Sequence, residues 1–217
     1  SIAASINMGF GGLQSTRSFP QIRGPTLMTR GGVPPAVQKF DESTKWLVTA
    51  GQTAAVVMRR DVLSPYITVG GIAASFLTKR IKQVLKQQRP EGSPFDDPGM
   101  PSSHALVATF MAVGWACALQ SRPIATAALL CAAVIVSVLR VVCGHHTWAQ
   151  VIVGAVMGAG MSLVWMQLGS GMLQNPSRMA TVVVYALYFC GSAVFLVKGI
   201  QKSRKRSKAK KVSVAQD

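Results

Sequence analysis

The sequence predicts an all-α protein: a polytopic bundle of five to six transmembrane helices with disordered N- and C-terminal tails. Charged residues make up only 14% of the 217 residues, whereas a soluble domain carries about 25%. Five apolar segments follow one another, each near the length of about 20 residues that crosses a bilayer. Two tails flank them, one rich in Ser, Gly, Thr and Pro and the other rich in Lys and Arg.

The apolar segments fix the order of the predicted helices. They cover 62–78, 105–120, 123–139, 148–168 and 179–197. The fourth contains Gly154, Gly158 and Gly160, small residues that permit close helix packing. A shorter apolar segment, 46–58, is interrupted by Gln52. It is either a sixth, tilted crossing or a helix lying in the membrane interface, and we favour the sixth crossing.

The composition divides the chain into three regions. Residues 1–42 contain Arg17, Arg23 and Arg30, with no acidic residue before Asp41. That is the composition of an organelle transit peptide, although a disordered tail without a targeting role has the same character. Residues 43–198 are predicted to form the membrane domain. Residues 199–217 form a basic C-terminal tail, which would attract anionic lipid.

The charge balance indicates membrane and phosphate as partners. The chain has 23 Lys and Arg against 7 Asp and Glu, a net charge of +16. Nucleic-acid binding usually needs a soluble basic face with aromatic platforms. Here aromatic residues are only 7%, and the basic residues lie between and after the apolar segments. We therefore expect no nucleic-acid partner, while an oligomer or a larger membrane assembly is compatible with the sequence.

Two polar segments border the first two apolar segments. Lys82 and Arg89 are seven residues apart, or two helical turns, so they are predicted to share a helix face with Lys86. The second segment, Pro-Ser-Ser-His at 101–104, opens a helix. Backbone N–H groups and the helix dipole favour an anion at such an end. Asp97, in the loop between the two segments, is interpreted as a turn residue beside Pro-Gly, and so is its neighbour Asp96.

A third polar segment links the helices predicted at 123–139 and 148–168. It contains Arg140, His145, His146 and Gln150. Charged and imidazole groups are costly near a membrane, which favours a functional role. Gln150 follows His146 by one turn and can orient its imidazole. Because whole crossings separate the three polar segments, the topology places all of them on one side of the membrane.

In order, these segments resemble the pattern K-x6-RP, PSGH and SR-x5-H-x3-D of the type-2 phosphatidic acid phosphatase (lipid phosphate phosphatase) superfamily. The first element matches fully, and Arg140 with His146 matches the third. Three positions depart from the pattern: Ser103 for Gly, Leu139 for Ser and Gln150 for Asp. The ending His-Thr-x-x-Gln is similar to plastid lipid phosphate phosphatases of the epsilon type and to dolichyl-diphosphatase-like members.

The resemblance implies a phosphohistidine mechanism that needs no metal or other cofactor. It implies that phosphate is bound by Lys82, Arg89, Arg140 and the backbone N–H groups of Ser102 and Ser103. His146 would attack phosphorus, and His104 would protonate the leaving oxygen and then activate water. Since Gln150 cannot stabilise a cationic imidazole as Asp would, we expect weaker activity with an alkaline optimum.

The implied reaction is the conversion of phosphatidic acid to diacylglycerol. The transit-like start and the distribution of positive charge favour the plastid inner envelope. A polyprenyl (dolichyl-type) diphosphate phosphatase, expected in the endoplasmic reticulum, is the enzymatic alternative. A catalytically silent family member acting as a membrane scaffold is the non-enzymatic one.

Overall fold

The computed structural model describes residues 33–91, 93 and 97–214, with side chains through Gln201. It contains six helices and no strand among these residues, which confirms the predicted all-α class. The helices are α1 Pro35–Arg59, α2 Leu63–Leu85, α3 Ser103–Ala118, α4 Pro123–Val142, α5 Trp148–Gln174 and α6 Arg178–Val214. Most of the predicted transit-like segment, residues 1–32, lies outside the described residues.

Three helices of the described chain are long and apolar enough to cross a membrane. They are α4, α5 and the portion Arg178–Gln201 of α6. Helix α3 is apolar but has 16 residues. Large apolar side chains such as Leu163, Val164 and Leu168 point outward from α5. An outward apolar surface on helices of this length is the arrangement that lipid requires.

Two helices extend beyond the boundaries that composition assigned to the membrane domain. Helix α1 begins at Pro35 and contains the whole of 46–58. Proline suits the first helical position because it lacks the N–H that would have no partner there. Helix α6 continues past Lys198 to Val214. Lys and Arg are good helix formers, and neither Gly nor Pro follows Gly199 before the helix ends.

Helices α3 and α5 pack closely because α5 presents glycine to the backbone of α3. A Cβ atom added at Gly154 would lie 2.7 Å from the carbonyl oxygen of Ser102, and one at Gly158 would meet that of Leu106. These two glycines therefore have the predicted packing role. Gly160 does not, because a Cβ there would have no neighbour within 4 Å.

Helix α5 is also held against α2 by reciprocal hydrogen bonds. The hydroxyl of Tyr66 donates to the carbonyl of Trp165 at 2.7 Å, and the indole of Trp165 donates to the carbonyl of Tyr66 at 3.1 Å. The two rings stack with centroids 4.9 Å apart. Nearby, Ile67, Leu106 and Phe110 form the centre of the apolar core. Polar groups that satisfy each other in this way stabilise helix contacts within an apolar surrounding.

The glycine contacts predict different results for two alanine substitutions in α5. Gly158→Ala would push α5 away from the backbone of α3, and we expect it to lower the unfolding free energy by about 1–3 kcal/mol. Gly160→Ala, the matched control, meets open space and should be neutral or stabilising by up to about 1 kcal/mol. Unfolding of the purified variants in detergent measures both. Equal losses would contradict this account of the α3–α5 contact.

Candidate active site

The three polar segments meet at one end of the helix bundle, as the topology predicts. Helices α2 and α4 end there, and α3 and α5 begin there. The guanidinium of Arg89 bonds to His146, and the backbone N–H of Ser102 donates to the carbonyl of Gln150 at 3.0 Å. Helix α1 adds Asp41, which contacts Arg140. The three polar segments and helix α1 thus form one site.

The prediction that Lys82, Lys86 and Arg89 share one helix face is wrong. Helix α2 ends at Leu85, and Lys86 is left-handed with φ 46°. The residue before a proline disfavours helical geometry, which keeps Arg89 out of a helix. The segment instead leaves the helix and turns back over its end. Lys82 and Arg89 still converge, because both contact the same residue in the following loop.

That residue is Asp97, whose side chain binds both cations. Its Oδ2 accepts from Lys82 Nζ at 3.0 Å and from Arg89 Nη2 at 2.9 Å. Arg89 Nε also donates to the backbone carbonyl of Asp97 at 2.9 Å, and Lys82 Nζ to that of Pro98 at 2.7 Å. Burial raises the pKa of Asp97, but the charges of Lys82 and Arg89 outweigh it and lower that pKa to about 2. The interpretation of Asp97 as a turn residue alone is therefore wrong, while Asp96 lies outside the described residues.

The imidazole of His146 lies between Arg89 and Gln150. Arg89 Nη1 is 3.1 Å from His146 Nε2 and also donates to the carbonyl of His145 at 2.9 Å. His146 Nδ1 is 3.1 Å from Gln150 Oε1. The one-turn spacing thus places the Gln150 side chain in contact with the imidazole, as predicted.

Two backbone groups of opposite polarity fix the orientation of the Gln150 amide. Its Oε1 accepts from the backbone N–H of Thr147 at 3.2 Å, and its Nε2 donates to the carbonyl of Gln88 at 2.8 Å. If the amide oxygen and nitrogen were exchanged, the oxygen would face the carbonyl oxygen of Gln88 and the NH₂ group would face the N–H of Thr147. Because Oε1 only accepts, His146 Nδ1 must carry the proton. His146 Nε2 therefore holds the lone pair, on the side that faces Arg89.

His146 is neutral at ordinary pH because of its surroundings. Burial lowers its pKa well below 6.5, and the charges of Arg89, Arg140 and Lys82 lower it further. Each of these effects disfavours an imidazolium. The three cations selected from the sequence therefore all act electrostatically on this one imidazole.

Arg140 is held by a carboxylate that sequence reasoning missed. Asp41 Oδ2 accepts from Arg140 Nη1 at 2.6 Å and lies 3.3 Å from His145 Nε2. The Asp41 side chain is only 1% exposed and that of Arg140 only 5%. A buried cation of this kind needs a counterion. In the sequence Asp41 stands out only as the first acidic residue. That does not reveal its contact with Arg140, which lies 99 positions further along the chain.

The second polar segment contributes the start of α3, with one change from prediction. The N–H of Ser102 is not available to an anion, because it donates to Gln150. Its hydroxyl is buried and has no hydrogen-bond partner among the described residues. Ser103 is the first residue of α3, where N–H groups lack helical partners. His104 follows in the same turn, and Arg140 and Asp41 are the charged groups that act on it most strongly.

Asp41, Cys143 and His145 form a buried group with the spacing of metal ligands. One ligand atom from each lies within 4.8 Å of the others. The bond from Arg140 to the same carboxylate already places a fixed cation at this point. A metal ion would have to share Asp41 with that cation, so we describe the group as an ion-pair cluster.

These features define a helical membrane protein in which three cations surround a neutral imidazole. Residues 66–171, just under half of the chain, match the model of the PAP2 superfamily, and this part of the chain is therefore similar to that superfamily. The matched region includes every site residue predicted from the sequence. Asp41 lies outside it.

Two named relatives are of the kinds that the motifs predict. The chain is 29% identical over 177 residues to lipid phosphate phosphatase epsilon 1, chloroplastic, of Arabidopsis thaliana, covering 78% of this chain and 62% of that protein. It is 28% identical over 138 residues to dolichyldiphosphatase 1 of Rhinolophus ferrumequinum, covering 55% and 58%. The chain thus spans about three fifths of the length of these relatives. No solved structure matches it.

The buried Asp41–Arg140 pair predicts a large effect for Asp41→Asn. The amide keeps the shape but leaves the charge of Arg140 uncompensated, and we expect a loss of about 3–5 kcal/mol in unfolding free energy. Denaturant unfolding in detergent measures this loss. Glu42→Gln, the same charge change at the next, exposed residue, is the control and should stay within about 0.5 kcal/mol of the unchanged protein.

A double variant tests whether the uncompensated charge is the cause. Asp41→Asn combined with Arg140→Gln removes both charges, so its loss should be smaller than the sum of the two single losses. Simple additivity would show that Asp41 stabilises the protein through contacts other than the ion pair.

Proposed function

We propose that this protein is a membrane phosphatase that hydrolyses phosphatidic acid to diacylglycerol and phosphate. The observation that carries the proposal is the neutral imidazole of His146, whose Nε2 lone pair faces the Arg89 guanidinium at 3.1 Å. A nucleophilic nitrogen beside several fixed cations is suited to attack on a phosphoryl group. The family domain at 66–171 supports the same reaction class.

In the proposed mechanism, Lys82, Arg89 and Arg140 neutralise the phosphoryl oxygens. Their charges all act on His146, so a phosphate bound near Nε2 is attracted by all three. Fixed charges in a water-poor site stabilise the transition state of phosphoryl transfer more than solvent does. Ser103 at the start of α3 and the hydroxyl of Ser102 would complete the phosphate site. Because these groups supply the charge, no metal or other cofactor is part of the proposal.

When the bound phosphate takes over the Arg89 N–H that Nε2 accepts, the Nε2 lone pair is freed and would attack phosphorus in line. The N–P bond forms as the bond to the lipid oxygen breaks, and His104 would give that oxygen a proton. Because burial and then the charge of Arg140 lower the pKa of His104 to about 3, His104 must take up this proton together with the anionic substrate, whose charge favours the imidazolium. Water, deprotonated by His104, next attacks the phosphohistidine and releases phosphate. His146 Nδ1 keeps its proton, which is hydrogen-bonded to Gln150 Oε1, through both steps. Nε2 therefore leaves phosphorus when water attacks and is ready for the next cycle.

The alkaline optimum expected from Gln150 loses its basis. That expectation assumed that a neutral His146 must be obtained by raising the pH. The pKa of His146 is already lowered well below 6.5, by burial first and by the neighbouring cations second. His146 would therefore remain competent at neutral pH, and its protonation would reduce activity only on the acid side.

The lipid and the compartment rest on the relatives and on composition. A relative named as chloroplastic lipid phosphate phosphatase supports a lipid phosphate, for which we propose phosphatidic acid. Together with the transit-like composition of residues 1–42, it supports a plastid membrane, for which we propose the inner envelope. A relative named dolichyldiphosphatase supports a polyprenyl diphosphate, in the endoplasmic reticulum, as the second candidate. Anionic lipid at the basic tail belongs to the same proposal.

Phosphate release by purified protein in EDTA tests the proposal. We expect release from phosphatidic acid above that from lysophosphatidic acid and polyprenyl diphosphate, and a loss of at least about 1,000-fold in His146→Ala. An unchanged melting temperature would show that the variant is folded. Higher activity on polyprenyl diphosphate would select the second candidate. No release from any of the three would leave the scaffold interpretation.

The two bonds of the Gln150 amide predict that aspartate, the residue usual in the superfamily pattern, is harmful here. Gln150→Asp removes the donor to the carbonyl of Gln88 and sets a carboxylate near it, so we expect kcat to fall about 10–100-fold. The acid limb of the pH profile should also move upward, because a carboxylate beside His146 raises its pKa. Gln150→Glu, which keeps the length and the acceptor, is the comparison. A higher kcat in Gln150→Asp would contradict this role for Gln150.

A further inference from the structure

The side chain of Asp97 bridges the two cations of the first polar segment. One oxygen, Oδ2, accepts from both Lys82 and Arg89. The side chains of these cations are only 7% and 8% exposed, whereas that of Asp97 is 51% exposed. An anionic oxygen shared by two buried cations is also how a phosphoryl oxygen would bind. The carboxylate thus approaches the cations from the accessible side.

Asp97 and the imidazole use the same guanidinium. Arg89 Nη2 bonds to Asp97 Oδ2 at 2.9 Å, while Arg89 Nη1 lies 3.1 Å from His146 Nε2. A phosphate that reaches Nε2 and binds Arg89 and Lys82 must therefore compete with this carboxylate. With its pKa lowered to about 2 by those cations against the opposing effect of burial, Asp97 carries a full charge throughout the physiological range.

Charge determines which ligands can win this competition. A phosphodiester headgroup carries one negative charge, as the carboxylate does, so exchanging one for the other gains little Coulomb energy. A terminal phosphate approaches two charges above its second pKa of about 6, and the extra charge interacts with all three cations. The carboxylate also has the advantage of being part of the same chain. Only the terminal phosphate gains from displacing it.

We propose that Asp97 is a specificity-determining residue, an internal carboxylate that terminal phosphates displace and that phosphodiester lipids do not. This proposal rests on the proposed function. A bilayer holds phosphodiester lipids in large excess over any lipid with a terminal phosphate, and an open cationic site would attract the anionic ones. Asp97 keeps the cations compensated and leaves the site to the substrate.

The test is Asp97→Asn, which keeps the shape and removes the charge. Phosphatidic acid hydrolysis is measured in mixed micelles with rising phosphatidylglycerol, a monoanionic phosphodiester. The unchanged protein should be nearly insensitive to phosphatidylglycerol, whereas Asp97→Asn should be competitively inhibited. Inorganic phosphate should inhibit the variant at a concentration at least about tenfold lower, because a competing charge has been removed. Glu42→Gln, the exposed control, should behave like the unchanged protein.

Asp97→Glu guards against a trivial loss of structure. It keeps the charge, so it should keep the resistance to phosphatidylglycerol. A fall in kcat in Asp97→Asn with unchanged or weaker phosphate inhibition would overturn the proposal, since Asp97 would then only position the cations. Equal phosphatidylglycerol inhibition of Asp97→Asn and the unchanged protein would also overturn it.

A binding measurement separates failure of this inference from failure of the proposed function. Titration with inorganic phosphate needs no turnover. If the unchanged protein hydrolyses no substrate but Asp97→Asn binds phosphate more tightly, Asp97 competes with phosphate as inferred and the proposed function is wrong. If hydrolysis is robust but phosphate affinity is the same in both proteins, the function stands and the inference is wrong.

Discussion

Positive charge buried at one end of the helix bundle is the constraint on which the rest of the site depends. Lys82, Arg89 and Arg140 are each less than a tenth exposed, and charges removed from water are costly unless they are paired. Two carboxylates meet this requirement. Asp41 pairs with Arg140, and Asp97 pairs with the other two. Burial first, and then the charges of these cations, keep the imidazole of His146 neutral.

The ends of the helices, rather than their faces, position the groups of the site. Helix α2 ends at Leu85, and the left-handed Lys86 lets the chain fold back, so that the carbonyl of Gln88 receives a hydrogen bond from Gln150. Ser102 is tied to the same residue through its backbone N–H. Gln150 therefore connects the segment after α2, the start of α3 and the imidazole of His146. Its backbone carbonyl makes the bond to Ser102, and its side-chain amide makes the other two bonds. A carboxylate, which only accepts, could not make the bond to Gln88.

The helices and the meeting of the three polar segments could be predicted from the sequence because both depend on local pattern. Apolar length identifies the helices, and the count of crossings places the segments on one side. The prediction that Lys82 and Arg89 share a helix face failed because the left-handed residue Lys86 ends the helix. Asp41 could not be predicted, since its partner is 99 residues away. Asp97 resembles a turn residue beside Pro-Gly in sequence, and only the folded loop shows its contacts.

The two carboxylates differ in burial, and that difference separates their roles. Asp41 is 1% exposed and cannot leave Arg140 without stranding a buried charge. Asp97 is 51% exposed, so it can move into water when another anion takes its place beside Lys82 and Arg89. Asp41 therefore remains the counterion of Arg140, whereas Asp97, the counterion of Lys82 and Arg89, can be exchanged for another anion. An anion that enters the site meets two cations whose partner can withdraw into solvent and a third whose partner stays. Such a site keeps its shape when empty and still offers charge to a ligand when Asp97 is displaced.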